Sequence, residues 1–181
     1  MGKFFNELSQ KHQEFIARQK VFFVATAVEQ GRVSVSPKGM DSFAVLSPNR
    51  VIWLNVTGSG NETAAHVHVN PRMTLMFCAF DGDPLILRIY GDAKVFHPRD
   101  QEYADLSCHL PKLPGGRNLF DVTVKEVQTS CGMGVPLYEY IDDRDQLNLW
   151  VNKKDRKALH DYWDKHNKVS IDGLPTYISN S

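Results

Sequence analysis

The residues best placed to do chemistry sit where a strand pattern turns into a helix, in VIWLNVTGSGNETAAHVHVNP from Val51 to Pro71. Gly58, Ser59 and Gly60 make the turn, and Asn61, Glu62 and Thr63 open the helix. The first N–H groups of a helix have no intrahelical partner and carry partial positive charge, so this start suits an anion, above all a phosphate. A plainer role fits the same residues. Ser59 and Glu62 have the spacing of a capping box, with the hydroxyl bonding forward and the carboxylate reaching back. The two roles are compatible, because one box leaves other N–H groups free, but Glu62 brings negative charge to the anion's side.

Two cations are candidates to complete such a site. Lys38 follows a half-buried strand pattern and precedes Gly39, where a missing side chain lets a ligand approach the backbone. Arg88 shares one strand face with Ile86 and Tyr90, and a guanidinium there needs an acceptor, either a protein carboxylate or an anionic ligand. The other chemistry-bearing residues give weaker signals. His66 and His68 point to different sides of a short helix, the wrong spacing for one metal, and no metal site is expected. Cys131 lies in a glycine loop, with nothing adjacent in sequence to lower its pKa. No nucleophile elbow or paired-carboxylate pattern is present, so no catalytic residue is assigned.

The 21 basic and 21 acidic residues cancel, so no global field recruits nucleic acid or an anionic membrane. The N-terminal stretch MGKFFNELSQ lacks the apolar run of a signal peptide or membrane span, and a cytoplasmic location is expected. Cys78, Cys108 and Cys131 are odd in number and widely spaced, which fits neither a disulfide framework nor a zinc knuckle.

These residues need a scaffold, and a single domain over 1–181 is expected to supply it. Helical spacing of Phe4, Leu8, Phe15 and Ile16 predicts a helix over 3–19. VFFVATA reads as a buried strand forming a hairpin with VSVS, which Pro37, Lys38 and Gly39 interrupt. FAVL and VIWL flank the turn Ser47–Arg50 as a second hairpin. The helix that starts near Asn61 must stop near Asn70, before Pro71. MTLMFCAF and PLILRIYGDAKVF form the centre of the sheet, Asp100–Leu106 a short helix, and LFDVTVKEV a last strand ending at Val127. A C-terminal helix is predicted over 144–165, with the charged segment Lys153–Lys157 as its weak point. Strands joined by short hairpins make an antiparallel sheet, and closure into a small barrel over about 21–130 would remove its edges. GSGNET lacks the third glycine of a dinucleotide fingerprint, and the chain lacks the repeated strand–helix–strand units of a doubly wound fold.

The segments FFVATA, VSVSPKG, VIWLNVTGSGNETAAHVHVNPRMTLMF and ILRIYGDAKV resemble, in order and spacing, the pyridoxamine 5'-phosphate oxidase-like flavin-binding split-barrel proteins. TSCGMGVP and SIDGLP resemble later motifs of an uncharacterised branch. The resemblance implies a mainly β fold, a six-stranded antiparallel split barrel with peripheral helices. It also implies a homodimer holding two FMN molecules at its interface, with Lys38 touching the flavin or its phosphate. Where true pyridoxamine phosphate oxidases have Ser-Arg-Lys at the helix start, this chain has Asn61, Glu62 and Thr63. Losing two charge-assisted phosphate contacts should cost about 1.5–3 kcal/mol each, so the phosphate must find other partners.

The residues implied for cofactor binding are Lys38, Gly39, Ser59, Gly60, Asn61, Glu62, Thr63 and Arg88. The function implied is an FMN-dependent oxidoreductase acting on a small molecule. The alternative is a non-catalytic dimeric binder of flavin or haem, and a deazaflavin (F420) is an alternative cofactor.

Overall fold

The computed structural model describes residues 2–178; Met1 and residues 179–181, the ends of the expected 1–181 domain, lie outside the described residues. In chain order the elements are β1 (Lys3–Phe5), α1 (Gln10–Arg18), β2 (Phe22–Thr26), β3 (Ser34–Lys38), β4 (Phe43–Ser47), β5 (Arg50–Val56) and α2 (Glu62–Val69). Then follow β6 (Arg72–Cys78), β7 (Ile86–Phe96), α3 (Gln101–Ser107), β8 (Gly116–Ser130), α4 (Gln146–Asn152) and α5 (Arg156–His166). The sheet runs β3-β2-β6-β7-β8-β5-β4, every neighbour antiparallel, with β1 added on β8. The fold is mainly β with peripheral helices. Its continuous path holds seven strands rather than the six implied, and β1 makes eight.

The two strands at opposite ends of this path, β3 and β4, are joined by residues 39–42 alone. Even fully extended, so short a link spans at most about 18 Å, so the sheet must curl until its edges approach. The link is a tight reversal: Met40 and Asp41 are both left-handed (φ 62° and 51°), and Ser42 N donates to Gly39 O at 3.2 Å. No ladder joins β3 to β4 among the described residues, which leaves the barrel split. The interior shows the same curling. Phe43 of β4 meets Phe22 of β2 at 5.2 Å and Phe77 of β6 at 5.1 Å, while Trp53 of β5 stacks on Phe120 of β8 at 4.3 Å. The two ends of the sheet therefore share one aromatic core.

Four local expectations need correction. The helix over 3–19 is instead a strand and a shorter helix: Lys3–Phe5 pairs with Val127–Thr129, and Ser9 caps α1. The cap is reciprocal, with Ser9 Oγ accepting from His12 N and His12 Nδ1 accepting from Ser9 N, so a histidine plays the part usual for Glu. The C-terminal helix breaks into α4 and α5, where Asp155 accepts from Ala158 N at 2.7 Å and starts a new helix. Pro37 and Lys38 do not interrupt β3 but belong to it. A proline is tolerated there because β3 is an edge strand with no neighbour on its outer side. Finally, the last strand does not end at Val127, since β8 continues to Ser130.

Candidate functional site

β3 presents its polar face inward to a cavity. Ser34, Ser36 and Lys38 line it, while Val33 and Val35 lie 71% and 63% exposed on the other side. That inverts the usual apolar-inward pattern of a half-buried strand. The cavity, about 730 Å³, is bounded by β3, the end of β5, the start of α2, the start of β8 and the segment after α5. Of the residues singled out from sequence, Lys38, Gly39, Ser59, Gly60, Asn61, Glu62 and Thr63 line it together. Arg88 does not: it sits on the outer face of β7 and donates to Ser130 Oγ at 3.2 Å, so its acceptor is a hydroxyl.

The capping box expected of Ser59 and Glu62 is absent, because α2 begins at Glu62 itself and the carboxylate sits at the first helical position instead of the third. Asn61 occupies the cap position, but its side chain turns away from the helix. Its Oδ1 accepts from Asn55 Nδ2 at 3.3 Å. Glu62 accepts instead from Ile171 N, at 3.0 and 3.2 Å to its two oxygens.

Lys38 Nζ donates to Asn55 Oδ1 at 3.2 Å and lies 5.6 Å from the Trp53 ring centroid. Burial, and secondarily the charge of Arg117, draw its pKa down to about 8. Arg117, at the start of β8, is only 3% exposed. Its Nη2 donates to Gly60 O at 2.6 Å and its Nη1 to Asn167 Oδ1 at 2.5 Å. Burial pulls its pKa down to about 10, against the raising effects of Tyr162 and Glu62. Among the described residues, neither cation has a carboxylate within 4.0 Å. Three buried polar atoms of lining residues also have no hydrogen-bond partner: Arg117 Nε, Asn61 Nδ2 and Ser36 Oγ. Buried cations are ordinarily paired and buried donors ordinarily bonded. A cavity that leaves two cations and several donors unanswered has the chemistry of an anion site.

The segment after α5 closes the cavity's side. Trp163 Nε1 donates to Thr57 Oγ1 at 2.9 Å, Asn167 Nδ2 donates to Gly58 O at 3.1 Å, and His166, Val169, Ser170 and Ile171 line the wall. Asp172 pins the following turn to the β2–β3 connection, accepting from Arg32 N at 2.7 Å and from its guanidinium.

The remaining candidates lie elsewhere. His66 is buried with Nδ1 3.1 Å from Thr26 Oγ1, and His97 is buried beside Asn118 with its pKa lowered to about 4, chiefly by desolvation. Cys108 and Cys131 are exposed free thiols outside the cavity, and Cys78 is a buried one. Sequence reasoning missed Arg117, Asn55 and Asn167. Arg117 carried a usable signal, a guanidinium opening an apolar strand run, which is the argument applied to Arg88. The two asparagines carried none.

The sequence model of the pyridoxamine 5'-phosphate oxidase family matches residues 8–131. The chain belongs to that family. It is 37% identical over 193 residues to a pyridoxamine 5'-phosphate oxidase family protein, ustO, of Aspergillus flavus, spanning 97% of this chain and 78% of that one. Solved structures share the family fold at lower identity. A Lactobacillus delbrueckii protein named for pyridoxamine 5'-phosphate oxidase superposes with a TM-score of 0.54 at 19% identity, covering 68% of this chain and 94% of its own. HupZ of Group A Streptococcus superposes at 0.52 with 17% identity, over 66% of this chain and 90% of its own. The family match takes in Lys38, the start of α2 and Arg117, but stops before Asn167 and Ile171. The similarity to ustO runs on through that C-terminal wall.

Proposed function

We propose that the protein is an FMN-binding oxidoreductase of the pyridoxamine 5'-phosphate oxidase family, acting on a small-molecule substrate and working as a cytoplasmic homodimer. The observation that carries this reading is the pair of cations without a carboxylate partner, half-buried Lys38 and buried Arg117, in a cavity beside the start of α2. The cavity's volume falls in the range of small-molecule and cofactor sites, about 300–1,000 Å³. The donor set fits a phosphate: two cations, Asn61 Nδ2, Ser36 Oγ, and the free N–H groups at the start of α2. Bound there, FMN would supply hydride-transfer chemistry, and the chain's own part is to hold and orient it. No described helix is long and apolar enough to cross a membrane.

A second copy of the chain is invoked because one wall of the site ends in exposed apolar residues, Val33 and Val35 on an unpaired edge. The non-catalytic binder is the second reading. It is favoured by Glu62, which places a carboxylate at the helix start and commits it to Ile171 N, leaving no assigned acid or base there. An absorbance spectrum of the purified protein, with mass spectrometry of whatever it releases on denaturation, tests the cofactor. Released FMN supports the proposal; released haem or deazaflavin, or no uptake of added FMN, defeats it. Turnover of a reduced nicotinamide by the loaded protein then separates enzyme from carrier.

A further inference from the structure

We infer that the phosphate anchor of this chain is Arg117, aimed by Asn167 of the C-terminal segment. That segment is thereby a working part of the cofactor site. The inference deepens the FMN reading and rests on it.

Arg117 is in the right electrical state and the wrong company for a structural arginine. It is 3% exposed, and its two recorded acceptors are neutral, the Gly60 carbonyl and the Asn167 amide oxygen. A buried structural arginine is normally answered by a carboxylate. Glu62, the nearest carboxylate in the cavity wall to influence it, is turned to Ile171 N and makes no ion pair with it. Neutral acceptors hold the guanidinium's direction while leaving its charge available. Its Nε–H and the amide nitrogen of Asn61 are both unpartnered, and both residues line the cavity.

The holding residue comes from the far end of the chain. Asn167 is fully buried and spans the gap, receiving from Arg117 Nη1 through Oδ1 while donating through Nδ2 to Gly58 O. Its own carbonyl accepts from Thr176 Oγ1. The glycine turn before α2, the arginine of β8 and the C-terminal segment are thus locked together through one side chain. The C-terminal segment serves the site twice, because its Ile171 N also draws off the carboxylate of Glu62. The positive charge that the start of α2 lacks is supplied from β8, and Asn167 is its positioning residue.

The test compares ligands that differ only in phosphate, using the full-length chain. FMN, riboflavin and inorganic phosphate are titrated by calorimetry into the wild type, Arg117→Gln, Arg117→Lys and Asn167→Ala, with circular dichroism to check folding. The wild type should prefer FMN over riboflavin, and Arg117→Gln should weaken FMN and inorganic phosphate by about 10- to 100-fold while leaving riboflavin nearly unchanged. Asn167→Ala should reduce the same preference, and Arg117→Lys should restore part of it. Should Arg117→Gln fail to fold, the lysine and Asn167→Ala variants carry the comparison. A purely structural role would weaken FMN and riboflavin equally, and that result overturns the inference, as does an unchanged preference in Arg117→Gln or Asn167→Ala. Phosphate binding that depends on Arg117, without any flavin binding, keeps the anchor and defeats the FMN reading. FMN binding indifferent to Arg117 keeps the FMN reading and defeats the anchor. A wild type that binds neither FMN nor phosphate defeats both.

Discussion

A half-buried, largely desolvated lysine without a carboxylate partner destabilises the ligand-free protein, and Lys38 makes the effect measurable. The unfolded chain binds this proton up to about pH 10.5 and the folded chain only up to about 8. Between those values the unfolded state holds more protons, so stability rises with pH. Below about 8 the penalty is fully present. Lys38→Met should therefore stabilise the ligand-free protein at pH 7 by about 1–2 kcal/mol, the removed penalty being partly offset by an unanswered Asn55 Oδ1. Urea denaturation at pH 7 checks it, and a destabilised variant would contradict it. The same proton governs ligand affinity in the opposite sense. An anion favours charged Lys38, so FMN affinity should fall as pH rises through about 8, with log Kd rising by up to about one per pH unit. Lys38→Arg, whose charge persists, should flatten that slope in a fluorescence titration. Lys38 was legible because a lysine between a strand pattern and a glycine is a local signal. Its partners were not, since Asn55 and Arg117 reach it only through the pairing of β5 with β8.

At the scale of elements, the curl of the sheet depends on places where strands depart from regular pairing. The β7–β8 register shifts between Tyr90 and Gly91, and a Cβ added at Gly91 would overlap the Thr123 carbonyl oxygen and press on Val122 Cγ1. Neither the carbonyl nor a fully buried valine can move aside without disturbing the sheet's longest ladder. Gly91→Ala should cost about 1–3 kcal/mol in chemical denaturation, and a neutral result would show that the bulge is dispensable. Most strands and the extent of α2 were readable, because their apolar periods and stop signals are local: Asn70 before Pro71 ends α2 where the pre-proline rule requires. The failures share a cause. Lys3–Phe5 has helical spacing with Leu8 and Phe15, yet the open edge of β8 takes it as a strand, and Ser9 starts the helix later. Ser59 and Glu62 have capping-box spacing, but the helix begins two residues too late to use it. In each case a partner distant in sequence outcompeted a local preference.

For the whole molecule, a seven-strand path whose ends are joined by four residues sets a polar strand face, half-buried Lys38 and buried Arg117 around one cavity. The same path leaves apolar side chains facing out. Val35 on the edge strand and Val33 just before it, with Leu137, Tyr138 and Ile141 in the loop after β8, are 63–89% exposed. A second copy would cover such surface, so light scattering should give a mass twice the chain's 20.6 kDa, and a monomer at micromolar concentration would remove the homodimer from the account. The cavity supports the central claim more directly than the surface does. Equilibrium titration of the purified, ligand-free chain with FMN at pH 7, followed by flavin absorbance and fluorescence, should saturate at one FMN per chain with a shifted flavin spectrum. It should also be reversed by competing inorganic phosphate. A flavin spectrum unchanged through a large excess of protein would contradict the claim that this cavity is a flavin phosphate site.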